Sequence, residues 1–262
     1  MKLRALLGAV RRRLDEARPR ALMGKLRGEL FVLVHPAGTD AAALATALNR
    51  HPALLCHADA LGPLSPAGFA GLSDGLLGKA RDSRDLAAFR TASPETYLYK
   101  YVFDSRGRHA VGFKVEQGAL LDSPSAPVRN ALMQDRDVRV IHYAARNLLG
   151  THVAELKRGQ GAAGPVTVAP QAFLLQARQA DRMNDYVDRL FEGHRRLKLD
   201  ADRFASPERG ALLAELAGFL GLDPFPAMEA GAAAAPLRGQ IANAAELAAA
   251  LAGTPYAWML EP

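Results

Sequence analysis

Residues 29–52 read ELFVLVHPAGTDAAALATALNRHP. Residues 30–34 form an unbroken apolar run, the pattern of a strand covered on both faces. A turn with Pro36 and Gly38 follows, and then a run of helix formers. Strand–turn–helix is the repeating unit of parallel α/β sheets. The helix start at the carboxyl end of such a strand offers free N–H donors and a positive dipole end to an anion. Two readings fit this stretch. It is an anion seat, or it is an ordinary βα turn with Thr39 or Asp40 as the helix N-cap. The pattern G-x-x-x-x-G-K-[ST] is absent, so it is not a Walker-type loop. The turn holds no Lys or Arg and carries an acid, Asp40.

Outward from this unit the pattern keeps alternating. A helix is expected over about 40–50 and a short strand over 53–57. TYLYKYVF (96–103 region) mixes strand and helix formers. AVGFKVE (110–116) reads as a strand, PVRNALMQ (127–134) as a helix and DVRVIHYAA (137–145) as a buried strand. NLLGTHVAELKRG (147–159) is helical, GPVTVAP (164–170) extended, and residues 170–193 a long amphipathic helix. Residues 194–204 read as a strand, 209–222 as a helix and turn, and 243–253 as the last helix. Strands alternating with helices indicate an α/β domain with a central, mostly parallel sheet and flanking helices.

The chain has 262 residues, 49% of them hydrophobic, which allows a substantial core. Its formal charge is +6 and its pI about 9.7. That balance suits anionic partners, and it is also ordinary for an Arg-rich, Ala-rich composition. Cys56 is the single cysteine, so no internal disulfide framework exists and a reducing compartment fits. No apolar run reaches the roughly 18–20 residues a membrane span needs. Residues 1–28 form a separate basic segment with Leu3, Leu6, Leu7, Val10 and Leu14 at helical spacing. This helix either docks its leucines on the domain formed by residues 29–262 or lies on an anionic membrane surface. The short apolar core before three arginines does not suit a signal peptide. A cytoplasmic protein, able to sit at the inner membrane face, is expected.

Several stretches, in this order, resemble PAPS-dependent sulfotransferases of the bacterial carbohydrate type; PAPS is 3′-phosphoadenosine-5′-phosphosulfate. NRHP (49–52) resembles the family's N-S-H-P helix end, and CHADAL (56–61) its C-H-G-E-I-L segment. VGFK (111–114) resembles a G-F-K element. VRVIHYAARNLLGTHVAEL (138–156) resembles the strand–helix unit that grips the donor's 3′-phosphate. AGFLGL (217–222) and LRGQIANAAELAAALAGTPYAWML (237–260) resemble the family's closing segments. The resemblance covers residues 29–262. It implies a P-loop-like, three-layer α/β/α domain, PAPS as donor, no metal, and a carbohydrate or glycolipid hydroxyl as acceptor.

The resemblance also assigns roles. Arg146 would contact the 3′-phosphate, with Thr151 replacing the family's Ser, since Ala154 stands at that position. Outside the resemblance, Arg146 reads as a helix-surface arginine. His35, Gly38, Thr39 and Asp40 would face the 5′-phosphosulfate. Asp59, where the family has Glu, would take the proton from the attacking hydroxyl, with His57 as a weaker base. Asp59 can equally cap or pair locally. Lys114 would support the leaving phosphate or an acidic acceptor, or is simply a solvent-facing strand end. LDADRF (199–204) falls where relatives carry a Y-E-D-L-like run.

The departures fall on the chemistry. Aligned without gaps back from His51, the family's R-S-G-T-T becomes Gly38, Thr39, Asp40, Ala41 and Ala42; a two-residue shift instead keeps Gly38 and Thr39 as the G-T pair, with Pro36 at the Arg and Asp40 at a hydroxyl. No fixed cation remains in the loop, and His35 is mostly uncharged at neutral pH. Two unit charges at 4 Å interact by roughly 1 kcal/mol in water and about 4 at an effective dielectric of 20. A lost charge-assisted hydrogen bond removes about 1.5–3 kcal/mol more. A non-catalytic relative that binds a glycan, a partner protein or another ligand is therefore the competing expectation. Lys114 or Arg178 reaching the loop would favour the enzyme, and an acid facing an empty pocket the scaffold. No metal-ligand spacing, no G-x-S-x-G elbow and no nucleic-acid module is present. His142 and His152 read as core-edge residues.

Overall fold

The computed structural model describes residues 28–58, 60–61, 88, 90–226 and 236–261. The basic segment, Asp59 and the Ala-rich run 230–235 lie outside these residues. Five strands form one sheet: β1 (Glu29–His35), β2 (Leu54–His57), β3 (Ala110–Glu116), β4 (Arg139–Ala144) and β5 (Arg196–Asp200). Their order is β2-β3-β1-β4-β5, and every pairing is parallel. The mostly parallel sheet expected from sequence is entirely parallel among the described strands.

The central strand β1 carries a continuous apolar run, 30–34, because helices cover both faces. Phe31 and Leu33 face one layer with α1 (Ala41–Leu48) and α5 (Arg209–Leu220). Val32 and Val34 face the other, with the helix α2 (Ala126–Gln134) and the end of α4 (Pro170–Leu190). The edge strand β5 instead alternates, and its outer Arg196 and Lys198 are charged. Charges on an edge discourage pairing with another sheet. β3 crosses β1 closely at Gly112, which pairs with Phe31 and Cys56. A methyl group there would lie 2.2 Å from the Phe31 carbonyl oxygen, so only glycine fits.

Three stretches gain detail. The ambiguous 96–103 region is helical: Pro94–Thr96 runs into a π-helical turn, Tyr97–Val102, which buries Tyr97, Leu98 and Val102. Burial of its aromatic and aliphatic side chains outweighs their mixed propensities. Residues 164–170 are extended as expected, with a single bridge, Val166 to Ile241, and no strand. The run 194–204 splits into β5 and a short helix, Asp202–Ala205. A third cluster lies beyond the main layers. There α3 (Leu148–Gln160), α4 and α6 (Ala244–Leu251) bring Leu149, Val153, Phe173, Leu247, Leu251 and Met259 together. No described helix is long and apolar enough to cross a membrane.

Candidate functional site

The chain leaves β1 toward α1 on one face, while the segments after β3 lead to α2 on the other. Such a divergence opens a crevice at the carboxyl ends of the strands. A pocket of about 60 Å³ lies at the carboxyl ends of β1 and β4, between the turn after β1 and helices α3 and α4. A water needs roughly 10–15 Å³, so the enclosed part of the pocket seats one small group. Pro36, Ala37 and Thr39 form one wall. Ala145, Leu148 and Phe173 supply apolar surface, and Thr151, His152, Glu155 and Gln176 supply polar groups.

The turn itself is folded inward. The Thr39 hydroxyl donates to the Pro36 carbonyl at 2.9 Å, and His35 Nδ1 lies 2.9 Å from the same oxygen. A carbonyl only accepts, so this contact places the imidazole proton on Nδ1. His35 is buried, and the contact turns its Nδ1 edge into its own loop. Asp40 occupies the N-cap position of α1, but its side chain makes no cap bond, unlike the expected role. It is exposed and does not line the pocket. Gly38 has φ +78°, the left-handed region that glycine adopts without penalty.

The acid at the pocket is a different one. A methyl group on Gly38 would lie 2.0 Å from Glu155 Oε1 and 3.1 Å from Thr151 Cγ2. The Glu155 carboxylate thus rests directly on the turn, with Thr151 one helical turn before it on α3. No hydrogen bond or ion pair to Glu155 occurs among the described residues. Sequence reasoning missed Glu155. The available signal was its i+4 spacing from Thr151, which puts both on one helix face.

The remaining candidates disperse. Arg146 is exposed at the start of α3, its guanidinium 5.2 Å from the Trp258 ring centroid. It does not line the pocket. Its turn is held by carboxylates at the end of β5 and just after it. Asp200 Oδ1 accepts from the Arg146 N–H at 3.2 Å and Asp202 Oδ2 from the Asn147 N–H at 2.8 Å. Asn147 then caps α3 by accepting from the Gly150 N–H at 3.2 Å. Burial pushes the Asp202 carboxyl up; the Asn147 N–H opposes that and the Asp200 charge adds to it. The 199–204 run therefore supports the Arg146 turn.

Lys114 is neither exposed nor at a strand end. It sits buried within β3, opposite Leu33, and does not line the pocket. Arg178 does not reach the loop lining either. His57 is fully buried, and burial, with the Arg106 charge, pushes it down to about 4. It is neutral and weakly basic at physiological pH. Burial pushes the neighbouring Cys56 thiol up to about 12, which leaves it unreactive. Asp59 lies outside the described residues. No cluster of metal-ligating side chains occurs among the described residues.

His142 belongs to a network with Gln117 and the carboxyl-terminal half of α4. Its Nδ1 is 3.1 Å from Asp188 Oδ1, and its Nε2 is 3.1 Å from Gln117 Nε2, which also donates to Asn184 at 2.8 Å. Burial pushes Asp188 up, but bonds from Lys198 and His142 outweigh it and hold the carboxyl below its ordinary range. A carboxyl depressed in the folded state stabilises the fold above its unfolded pKa and loses that contribution as pH falls through the folded value. Asp188→Asn is expected to cost about 1–3 kcal/mol at pH 7. The difference from wild type should shrink below about pH 4, the ordinary carboxylate value. Urea titrations across pH 3–7 test this, and a pH-independent difference would contradict it.

No protein-family model matches the chain, and no curated protein matches it at a significant level.

Proposed function

We propose that this chain is a sulfotransferase-like protein of P-loop-like, three-layer α/β/α architecture. It binds a carbohydrate or glycolipid at the carboxyl end of its sheet without transferring a sulfuryl group. The strand order with β1 central, the turn at its carboxyl end and Arg146 beginning the helix after β4 support the scaffold. The observation that carries the choice is the Glu155 carboxylate resting on Gly38, in a lining without Lys or Arg among the described residues. A phosphosulfate placed there would meet a carboxylate and no compensating cation.

The competing reading is an active transferase. PAPS would be its donor, Arg146 the 3′-phosphate contact and Asp59 the base. The Arg146 guanidinium, exposed beside the face of Trp258, favours it, because such a pair can grip a nucleotide edge. A cytoplasmic setting, with residues 1–28 at an inner membrane face, belongs to either reading.

Calorimetry with PAP, the desulfated product, and with PAPS decides between them. Wild type and Arg146→Ala are titrated at low and physiological salt. Millimolar or absent binding by both nucleotides is the expected result. Micromolar binding by wild type that Arg146→Ala abolishes would instead establish the donor site and the transferase reading.

A further inference from the structure

Glu155 does more than mark a pocket without cations. It reaches from α3 across to the first turn of the sheet, and its carboxylate contacts the backbone at Gly38. Around it are Thr39, Thr151, His152 and Gln176, above an apolar floor at Phe173. The carboxylate is half-buried and has no counter-ion among the described residues. It is close to the start of α1, where backbone N–H groups and the helix dipole favour negative charge. The chain thus supplies its own anion at the place where this type of turn would favour a ligand's.

We propose that Glu155 is the charge-selecting residue of this pocket, excluding phosphate and sulfate esters and admitting an uncharged, hydroxyl-bearing ligand group. The inference rests on the placement of the ligand site under Proposed function and names the determinant of its specificity. A carboxylate accepts hydrogen bonds from hydroxyls and repels anions. Pro36 and Leu148, half-buried in the lining, add the apolar surface that the carbon face of a sugar uses. The selection is electrostatic, so a neutral isostere removes it while filling the same space.

The test compares PAP binding by wild type, Glu155→Gln and Glu155→Ser, with adenosine as the uncharged control. Both variants place a small polar group on an accessible helix face, and thermal melting checks that they fold. Removing one charge within contact of a phosphate at partial exposure is expected to strengthen PAP binding by about 10–100-fold. Adenosine binding should not change, and the gain should shrink at high salt. Equal PAP affinity in wild type and variants overturns the inference, as does a complete lack of PAP binding to the variants at millimolar concentration. An equal gain for adenosine also overturns it, since the effect would then be steric. The absolute wild-type affinity tests the non-catalytic reading separately. Micromolar PAP binding by wild type defeats that reading, whereas the variant-to-wild-type ratio alone decides the role of Glu155.

Discussion

Gly112→Ala is expected to destabilise the fold by about 3 kcal/mol or more, at the upper end of overpacking costs. The added methyl would lie 2.2 Å from the Phe31 carbonyl oxygen and 2.6 Å from two Phe31 ring carbons. A side chain could swing aside, but the carbonyl belongs to β1, which is hydrogen-bonded between β3 and β4. Moving it disturbs both ladders at the centre of the sheet. Phe31 is itself completely buried, so its ring has no open direction to retreat. Gly210→Ala is the matched control, because a methyl there meets nothing within 4 Å. Inside α5 that substitution should be neutral or stabilise by about 0.5–1 kcal/mol. Urea midpoints at constant m-value measure both. An unchanged midpoint for Gly112→Ala would mean that β1 and β3 are not in this register.

Phe173→Ala carries the second large effect, a loss of about 3–5 kcal/mol. Phe173 is buried between α3, α4 and the carboxyl-terminal segment, with its ring centroid 5.5 Å from His152 and 6.4 Å from Tyr256. It therefore holds the third cluster together and forms the floor of the pocket at once. Neighbouring chain is anchored by bonds the substitution leaves in place. Tyr256 donates to Asp181 at 2.7 Å, and Asn243 bridges both polar groups of Val168. The segment should stay docked while the cavity remains open, which is the condition for a full cavity penalty. Chemical denaturation measures the loss. A cost below about 1 kcal/mol would show that the site collapses freely, in conflict with this packing.

Much of this architecture is readable in local pattern. The apolar run 30–34 and the buried strand expected within 137–145 both lie in the sheet, and the helices at 148, 170, 209 and 244 begin close to where periodicity places them. The 96–103 region was not readable, since its aromatic residues suit strand and buried helix alike. The candidate site was readable only in part. Thr39 and Thr151 do line one pocket. His57 and Lys114, chosen by position in a resembling pattern, are buried in layers of the sheet. Composition cannot distinguish a buried cationic or imidazole group from an exposed one, because burial depends on what packs over it.

Local pattern alone set a mostly parallel α/β sheet, a turn without a fixed cation at the carboxyl end of its first strand, and an acid-containing run at the end of its last. Each follows from residue type and short-range spacing, which set backbone state and local charge. Only the tertiary structure decided which acid faces the turn. Asp40 is adjacent in sequence, yet it projects outside the pocket lining, while Glu155 arrives from a helix that follows β4. Its position depends on the stacking of α3 against the carboxyl end of β1 and on the direction of its side chain from that helix. No local periodicity encodes such a contact between distant segments.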